Sequence, residues 1–414
     1  MFPKPYPIDQ IRAQFPSLQR IYKGNQVVYL DGPAGTQIVQ ASIDALVNYV
    51  HQGRSNTHGC YPTGRETDAI LDHARAAIAD LVGALPEEVA FGPNTTTLIF
   101  SVSRALGRNI NPGDEIVVTE LDHRANVDPW IAMAADRGAT IRWIKLNLDT
   151  FELELDNLPE IINSNTKIVA VGLGSNGVGT ITDVARISAR AREVNALIVV
   201  DAVHAVPHIA VDRDKLGADV IFCSAYKFFG PFIGAAIIQK NIFEHLLPYK
   251  VKPSPDNIPD NLETGTQNHE GLAGIPAVIE FIASLGLGNT RREKLISAME
   301  LLESYENHLA DRIRVAFRQI PEIILYQAPD PTRKTSTIAF NIENQSPQKV
   351  CEILSEKYGI FAGDGHFYAM TIGDLLGINS TGGWIRLGMA PYTTESEVDR
   401  VINAIKEIIH NTLI

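Results

Sequence analysis

Two short runs of the chain decide the fold. Leu197-Ile198-Val199-Val200 ends in Asp201, and Val220-Ile221-Phe222-Cys223 runs into Ser224-Ala225-Tyr226-Lys227. Each run is apolar at every position rather than at alternate ones. Such a strand is buried on both faces, as in a parallel sheet covered by helices. The same texture extends outward on both sides. Apolar runs at 115–119, 140–144, 167–173 and 235–238 recur, and helical patterns at 68–82, 127–137 and 184–194 separate several of them. Gly83 can end the first of these helices. Strand and helix alternating in this way predict an α/β domain with a mainly parallel sheet.

Ligands of such sheets bind beyond the carboxyl ends of the strands. Asp201 and Lys227 therefore emerge at one edge, on successive strands. A lysine amine can form a Schiff base, and a carboxylate can pair with a protonated pyridine nitrogen. A pyridoxal phosphate enzyme needs both. An ordinary ion pair at a strand end would use the same residues. Gly92-Pro93-Asn94-Thr95-Thr96-Thr97 follows a short strand and opens a helix. Its backbone N–H groups and Thr hydroxyls suit a phosphate, or simply cap the helix. His123, after the run 115–119, could stack on a flat ring or be a solvated loop residue. Asn176, after the run 167–173, could bond a phenolic oxygen or shape a turn.

The run Tyr29-Leu30-Asp31-Gly32-Pro33-Ala34-Gly35-Thr36-Gln37 resembles the opening motif of class V aminotransferase-type enzymes. Within them it is similar to the cysteine desulfurases and selenocysteine lyases. The resemblance continues through Asn94-Thr95-Thr96, Asp122-His123-Arg124-Ala125-Asn126, Ser175-Asn176 and Asp201-Ala202-Val203-His204. It goes on through Ser224-Ala225-Tyr226-Lys227 and Glu263-Thr264-Gly265-Thr266 to Trp384-Ile385-Arg386-Leu387. It implies the aspartate aminotransferase fold type I, with a sheet of the seven-stranded type and a small C-terminal α+β domain. It also implies pyridoxal 5'-phosphate as cofactor. Lys227 would form the Schiff base, Asp201 would hold the pyridinium and His123 would stack on the ring. Asn176 would bond the ring oxygen, and Thr95, Thr96 and Ser224 would bind the phosphate. Thr266 would reach the phosphate of a neighbouring subunit, implying a homodimer. Arg386 would clamp the carboxylate of a small amino-acid substrate, a task suited to a guanidinium fork.

The chain departs from the family pattern at His204, where Gln is frequent, and at Tyr226, where His is frequent. Both replacements still hydrogen-bond. His204 with His208 and Asp201 could be read as a metal set, but Pro207 spoils regular helical spacing, and no metal is expected. Desulfurases carry a mobile Cys before the strand that holds the Arg. The matching stretch here, Gly363-Asp364-Gly365-His366-Phe367-Tyr368-Ala369, has none. Without a thiolate there, persulfide formation lacks its nucleophile. The expected chemistry is β-elimination from a small, sulfur-bearing L-amino acid, a C–S lyase reaction, with class V transamination as the alternative. Asp364, His366 and Tyr368 are candidates for substrate selection or proton transfer.

Two readings come from other classes. Gly172-Leu173-Gly174-Ser175-Asn176-Gly177 matches G-x-G-x-x-G after a strand, as in a nicotinamide dehydrogenase, but the next helix should start only near Asp183. A non-catalytic scaffold would have no chemical need for Lys227 and Asp201 together. The 414 residues are 45% hydrophobic with net charge −12, a globular composition that argues against nucleic acid or anionic membrane as partner. Cys60, Cys223 and Cys351 are too scattered for a disulfide framework. Neither a signal peptide nor a membrane-length apolar run is found, so a cytoplasmic enzyme is expected. Three parts are expected: an N-terminal segment 1–20 on the small domain, a large cofactor-binding domain 21–285 and a small domain 286–414. The small domain should hold a helix over 291–318, a strand over 337–342, a helix over 348–357, a strand over 384–388 and a helix over 396–409.

Overall fold

The computed structural model describes residues 6–412. Residues 1–5 of the expected N-terminal segment and 413–414 of the expected small domain lie outside the described residues. The main sheet contains β1 (Val89–Gly92), β2 (Glu115–Thr119), β3 (Thr140–Ile144), β4 (Thr166–Gly172), β5 (Leu197–Asp201), β6 (Val220–Ser224) and β7 (Gly234–Ile238). Their order is β1-β7-β6-β5-β4-β2-β3. Strands β2 to β6 run parallel, and β7 is antiparallel to both β6 and β1.

The uninterrupted apolar runs have a simple cause. Along β5, Ile198 and Val200 enter one core, whereas Val199 enters another across the sheet. In β6, Ile221 and Cys223 face the first core, and Val220 and Phe222 the second. Side chains alternate along a strand, so two cores demand apolar residues at every position.

The helices of ten residues or more are α1 (Gln40–Gln52), α2 (Pro62–Val82), α3 (Thr95–Leu106), α4 (Asp128–Arg137), α5 (Val184–Glu193), α6 (His269–Ser284), α7 (Arg291–Arg318), α8 (Pro347–Tyr358) and α9 (Glu395–Thr412). Gly83 closes α2 in the left-handed conformation. Thr290 and Glu293 cap α7 reciprocally. Asp183 caps α5 by accepting the Arg186 N–H at 3.1 Å. The Gly172–Gly177 run therefore lies well before that helix, and a dinucleotide site would lack its helix N-terminus.

A second, antiparallel sheet contains β8 (Ile323–Tyr326), β9 (Thr337–Ile342), β10 (Gly363–Gly365) and β11 (Trp384–Gly388), ordered β8-β9-β11-β10. Its core takes in α8, α9 and the C-terminal half of α7, and also Val28 and Leu30. The N-terminal half of α7, with Leu295, Ala298, Met299 and Leu302, packs in the first core of the large sheet. Of the N-terminal segment, Ile11, Phe15 and Leu18 join that same large core. Tyr6 and Arg12 reach instead to the backbone of Pro391 and Tyr392.

Candidate active site

The carboxyl ends of β2, β4, β5 and β6 face a cavity of about 670 Å³. Lys227 lies in the tight turn that follows β6 and is buried. Its Nζ donates to the carbonyls of Pro33 and, at 3.2 Å, of Ala34. Burial and then the Arg386 charge lower the pKa of this amine to about 7, against the pull of Asp201 and Asp31. Asp201 ends β5, and one carboxylate oxygen accepts the Val203 N–H at 2.9 Å. Burial raises its pKa to about 6.

His123 is neutral at physiological pH, because burial, Lys227 and Arg386 lower its pKa to about 4. Its Nδ1 accepts the Ala125 N–H at 2.9 Å, which leaves the ring proton on Nε2. The ring stacks on Tyr368, with centroids 5.3 Å apart. Thr95 and Thr96 open α3, and the Thr95 hydroxyl donates to Cys223 O at 3.0 Å beside the Ser224 hydroxyl. Glycine is required where β7 starts, since a Cβ on Gly234 would lie 2.6 Å from the Thr95 nitrogen. That close approach keeps the helix N-terminus at the cavity.

Arg386 comes from β11 of the second sheet. It donates to Asn176 O at 2.6 Å, and its guanidinium lies 3.7 Å from the centroid of the Phe367 ring. Burial lowers its pKa to about 9, so it stays cationic at neutral pH. Asn176 donates to Phe367 O at 2.7 Å, and its Oδ1 is buried without a partner among the described residues. His204 Nε2 lies 3.0 Å from the Thr337 hydroxyl, and Tyr226 stacks on Phe232 at 5.0 Å.

The structure thus gathers Lys227, Asp201, His123, Thr95, Thr96, Asn176, His204, Ser224, Tyr226 and Arg386 around one cavity. Two expected residues stand apart in the single chain. Thr266 is exposed and lines a separate cavity of about 380 Å³ with Pro93, Thr97 and Asn268. His366 is half-buried beside the wall, where its Nδ1 accepts the Tyr368 N–H at 3.1 Å. Three cavity or near-cavity residues carry no role in the sequence reading. Phe367 supports Arg386. Asp31 has one buried oxygen without a partner among the described residues and is attracted electrostatically by Arg386 and Lys227. Asp122 is buried and bonded to Thr119 at 2.7 Å, Asn126 at 2.8 Å and the Gly172 N–H at 3.0 Å. Asp31 and Asp122 both lie inside motifs quoted above, which was the available signal. Phe367 lies in the quoted stretch 363–369, but its inward placement had no signal, since it and Tyr368 take left-handed backbone (φ 52 and 58) that no local pattern announces.

Residues 28–401 match the family profile Aminotransferase class-V. The chain belongs to the aminotransferase class-V family. This class-V chain is 30% identical over 414 residues to an uncharacterized protein of Mycobacterium tuberculosis (strain CDC 1551 / Oshkosh), covering 97% of this chain and 99% of that one. It is 30% identical over 419 residues to a cysteine desulfurase of Serratia proteamaculans (strain 568), covering 97% and 98%. Among solved structures, the apo cysteine desulfurase of Thermococcus onnurineus NA1 superposes with a TM-score of 0.89 at 25% identity, covering 99% and 100%. The cysteine desulfurase CsdA of Escherichia coli gives 0.83 at 28%, covering 97% and 98%. The class-V fold is that of the type I pyridoxal-phosphate enzymes, and the chain is a pyridoxal-phosphate-dependent enzyme of the desulfurase-like kind.

The cavity fits that cofactor. A helix N-terminus flanked by the Thr95 and Ser224 hydroxyls suits a phosphate. The buried Asp201 carboxylate has spare lone pairs for a pyridine N–H. The buried Asn176 Oδ1, on the residue whose backbone carbonyl accepts from Arg386, has no partner among the described residues. Orphaned polar atoms of this kind call for an occupant.

Proposed function

We propose that this class-V enzyme is a cytoplasmic, homodimeric C–S lyase that cleaves a small sulfur-bearing L-amino acid by β-elimination, with no persulfide on the enzyme. The observation that carries the reading is where the thiols are. Cys223 points into the first core of the large sheet and Cys351 into the core of the second sheet, and burial pushes each pKa up to about 12. Cys60 is exposed and does not line the cavity. The segment 363–369 instead brings Phe367 and Tyr368 to the cavity wall. Three free cysteines accord with a reducing compartment, and no helix among the described residues is long and apolar enough to cross a membrane.

In this reading Thr95, Thr96 and Ser224 bind the cofactor phosphate, and Asp201 pairs with the pyridine nitrogen. His123 stacks on the ring, with Asn176, His204 and Tyr226 as hydrogen-bonding neighbours. Thr266 serves the partner's site across the dimer interface. The exposed Phe232, stacked on Tyr226, supports an apolar contact next to the cavity. Bound pyridoxal phosphate would acidify the substrate α-proton and take up the electrons left behind. Arg386 holds the substrate carboxylate. The Lys227 amine, freed by the substrate amine, takes the α-proton. His366, behind Phe367, shapes the wall that selects the side chain. The Cβ–S bond then breaks and sulfur keeps the electron pair, since no protein thiol is placed to intercept it. For cysteine the balance is cysteine plus water giving pyruvate, ammonia and hydrogen sulfide.

The test supplies L-cysteine and measures pyruvate, ammonia and sulfide, and supplies L-cystine and measures pyruvate, ammonia and thiocysteine, for wild type and Cys60→Ser. Equal pyruvate and sulfur release, at rates within about twofold of each other, is the expected result for an exposed substitution. Alanine as product, with protein-bound persulfide that Cys60→Ser lacks, overturns the reading. Keto acid without sulfur release assigns transamination instead.

A pH dependence follows from Lys227. Below a pKa of about 7 the amine is an ammonium donating to Pro33 and Ala34, and above it the amine is a free nucleophile. Capture of added pyridoxal phosphate by cofactor-free protein should therefore accelerate about tenfold per pH unit up to neutrality and level off above it. Stopped-flow absorbance checks this, and a rate still climbing between pH 8 and 10 would refute it.

A further inference from the structure

The mechanism above leaves unexplained how His204 is held. Its ring borders the cavity, and its Nδ1 is buried without a partner among the described residues. Its Nε2 faces two hydroxyls of the second domain's chain, Thr335 at 3.3 Å and Thr337 at 3.0 Å. Those two residues are fixed from both sides. Arg314, buried on α7, donates to Thr335 O at 2.6 Å and Thr337 O at 3.0 Å. On the other side the Thr335 N–H donates to Gly179 O at 2.8 Å. Gly179 has φ +81, and a Cβ there would lie 3.1 Å from the Thr335 hydroxyl, so glycine alone permits this clamp.

The hydroxyl protons determine the tautomer. Thr335 Oγ1 already accepts the Thr337 N–H at 3.4 Å and keeps one lone pair and its own proton; donating that proton satisfies a buried hydroxyl that has no other acceptor among the described residues. The acceptor within reach is His204 Nε2. A nitrogen that accepts carries no proton, so a neutral ring must carry its proton on Nδ1. The ring is neutral because burial and the neighbouring His208, Lys227 and Arg386 hold its pKa well below the usual histidine value.

We propose that Thr335 and Thr337 are positioning residues that lock His204 in the Nδ1–H tautomer, making it a hydrogen-bond donor to the bound cofactor. The inference rests on the cofactor site proposed above. It ties the cofactor-binding surface of one domain to two hydroxyls supplied by the other.

The test compares wild type, Thr335→Val/Thr337→Val and Thr335→Ser/Thr337→Ser. The first readout is the ¹⁵N ring shifts of His204 in cofactor-free protein, assigned by His204→Gln. The others are the pyridoxal phosphate dissociation constant and the visible absorption maximum. Wild type and the serine variant should show Nδ1–H. The valine variant should shift toward Nε2–H, bind cofactor about three- to tenfold more weakly and move the absorption maximum. Nε2–H in wild type overturns the proposal, whether or not the valine variant folds. So does a folded valine variant with tautomer and absorption unchanged. A wild type that shows Nδ1–H but binds no pyridoxal phosphate would instead refute the cofactor-site reading.

Discussion

Lys227→Ala is expected to lower turnover of the sulfur amino acid by about 10⁴-fold and to replace the Schiff-base absorption band of the bound cofactor with that of the free aldehyde. The size follows from two functions resting on one amine. In the proposed mechanism Lys227 is both the covalent anchor and the base that takes the α-proton, and a positioned base alone is worth about 10²- to 10⁴-fold. Neither His123 nor Arg386 can take over. His123 is neutral but its free nitrogen is protonated, and Arg386 stays cationic. The variant still offers Asp201, Thr95 and Ser224, so it should retain non-covalent cofactor binding. Ultrafiltration with added pyridoxal phosphate would show this. A variant within tenfold of wild type would exclude Lys227 as the base.

Arg386→Lys should reduce kcat/KM about a hundredfold, mostly through KM. The substitution keeps the charge and loses the fork. In the native arrangement one nitrogen is committed to Asn176 O while the flat face rests on Phe367, leaving the remaining donors for a carboxylate. An ammonium cannot serve both partners and still present a planar pair of N–H groups. Loss of a charge-assisted contact made in ground state and transition state alike appears in KM. Steady-state kinetics with L-cysteine would check it. An unchanged KM would place the substrate carboxylate elsewhere.

Much of this architecture could be read in the chain, and the reasons are local. Residues 115–119, 140–144, 337–342 and 384–388 were expected as strands and are strands, because their apolar runs are bounded by polar or glycine residues. Helix 291–318 was legible because it lacks Gly and Pro, and the structure adds a reciprocal cap at its start. Helix α6 was not legible. It contains Gly271, Gly274 and Pro276, which mark loops in isolation. It forms because it is wedged against α1, with the Ser42 hydroxyl on Gly274 O at 3.1 Å, a contact between residues far apart in sequence. The site divides in the same way. Residues at the ends of β4, β5 and β6 follow from strand position, as do the threonines that open α3 after β1. The wall built by Phe367 and Tyr368 depends on two consecutive left-handed residues, which change which side chain faces inward. A reading by alternation selects His366 and Tyr368 and passes over Phe367.

Helix α7 has a consequence for how the molecule comes apart. Its 28 residues form a continuous rod about 42 Å long, one half in the first large-sheet core and the other in the core of the second sheet. Neither core can melt without stripping half of this shared helix, and fraying one half removes the support of the other. Urea should therefore unfold both sheets in a single cooperative transition, with tryptophan fluorescence and far-UV dichroism coincident. Trp130 reports on one side of the large sheet and Trp384 lies on β11, so the two regions carry their own probes.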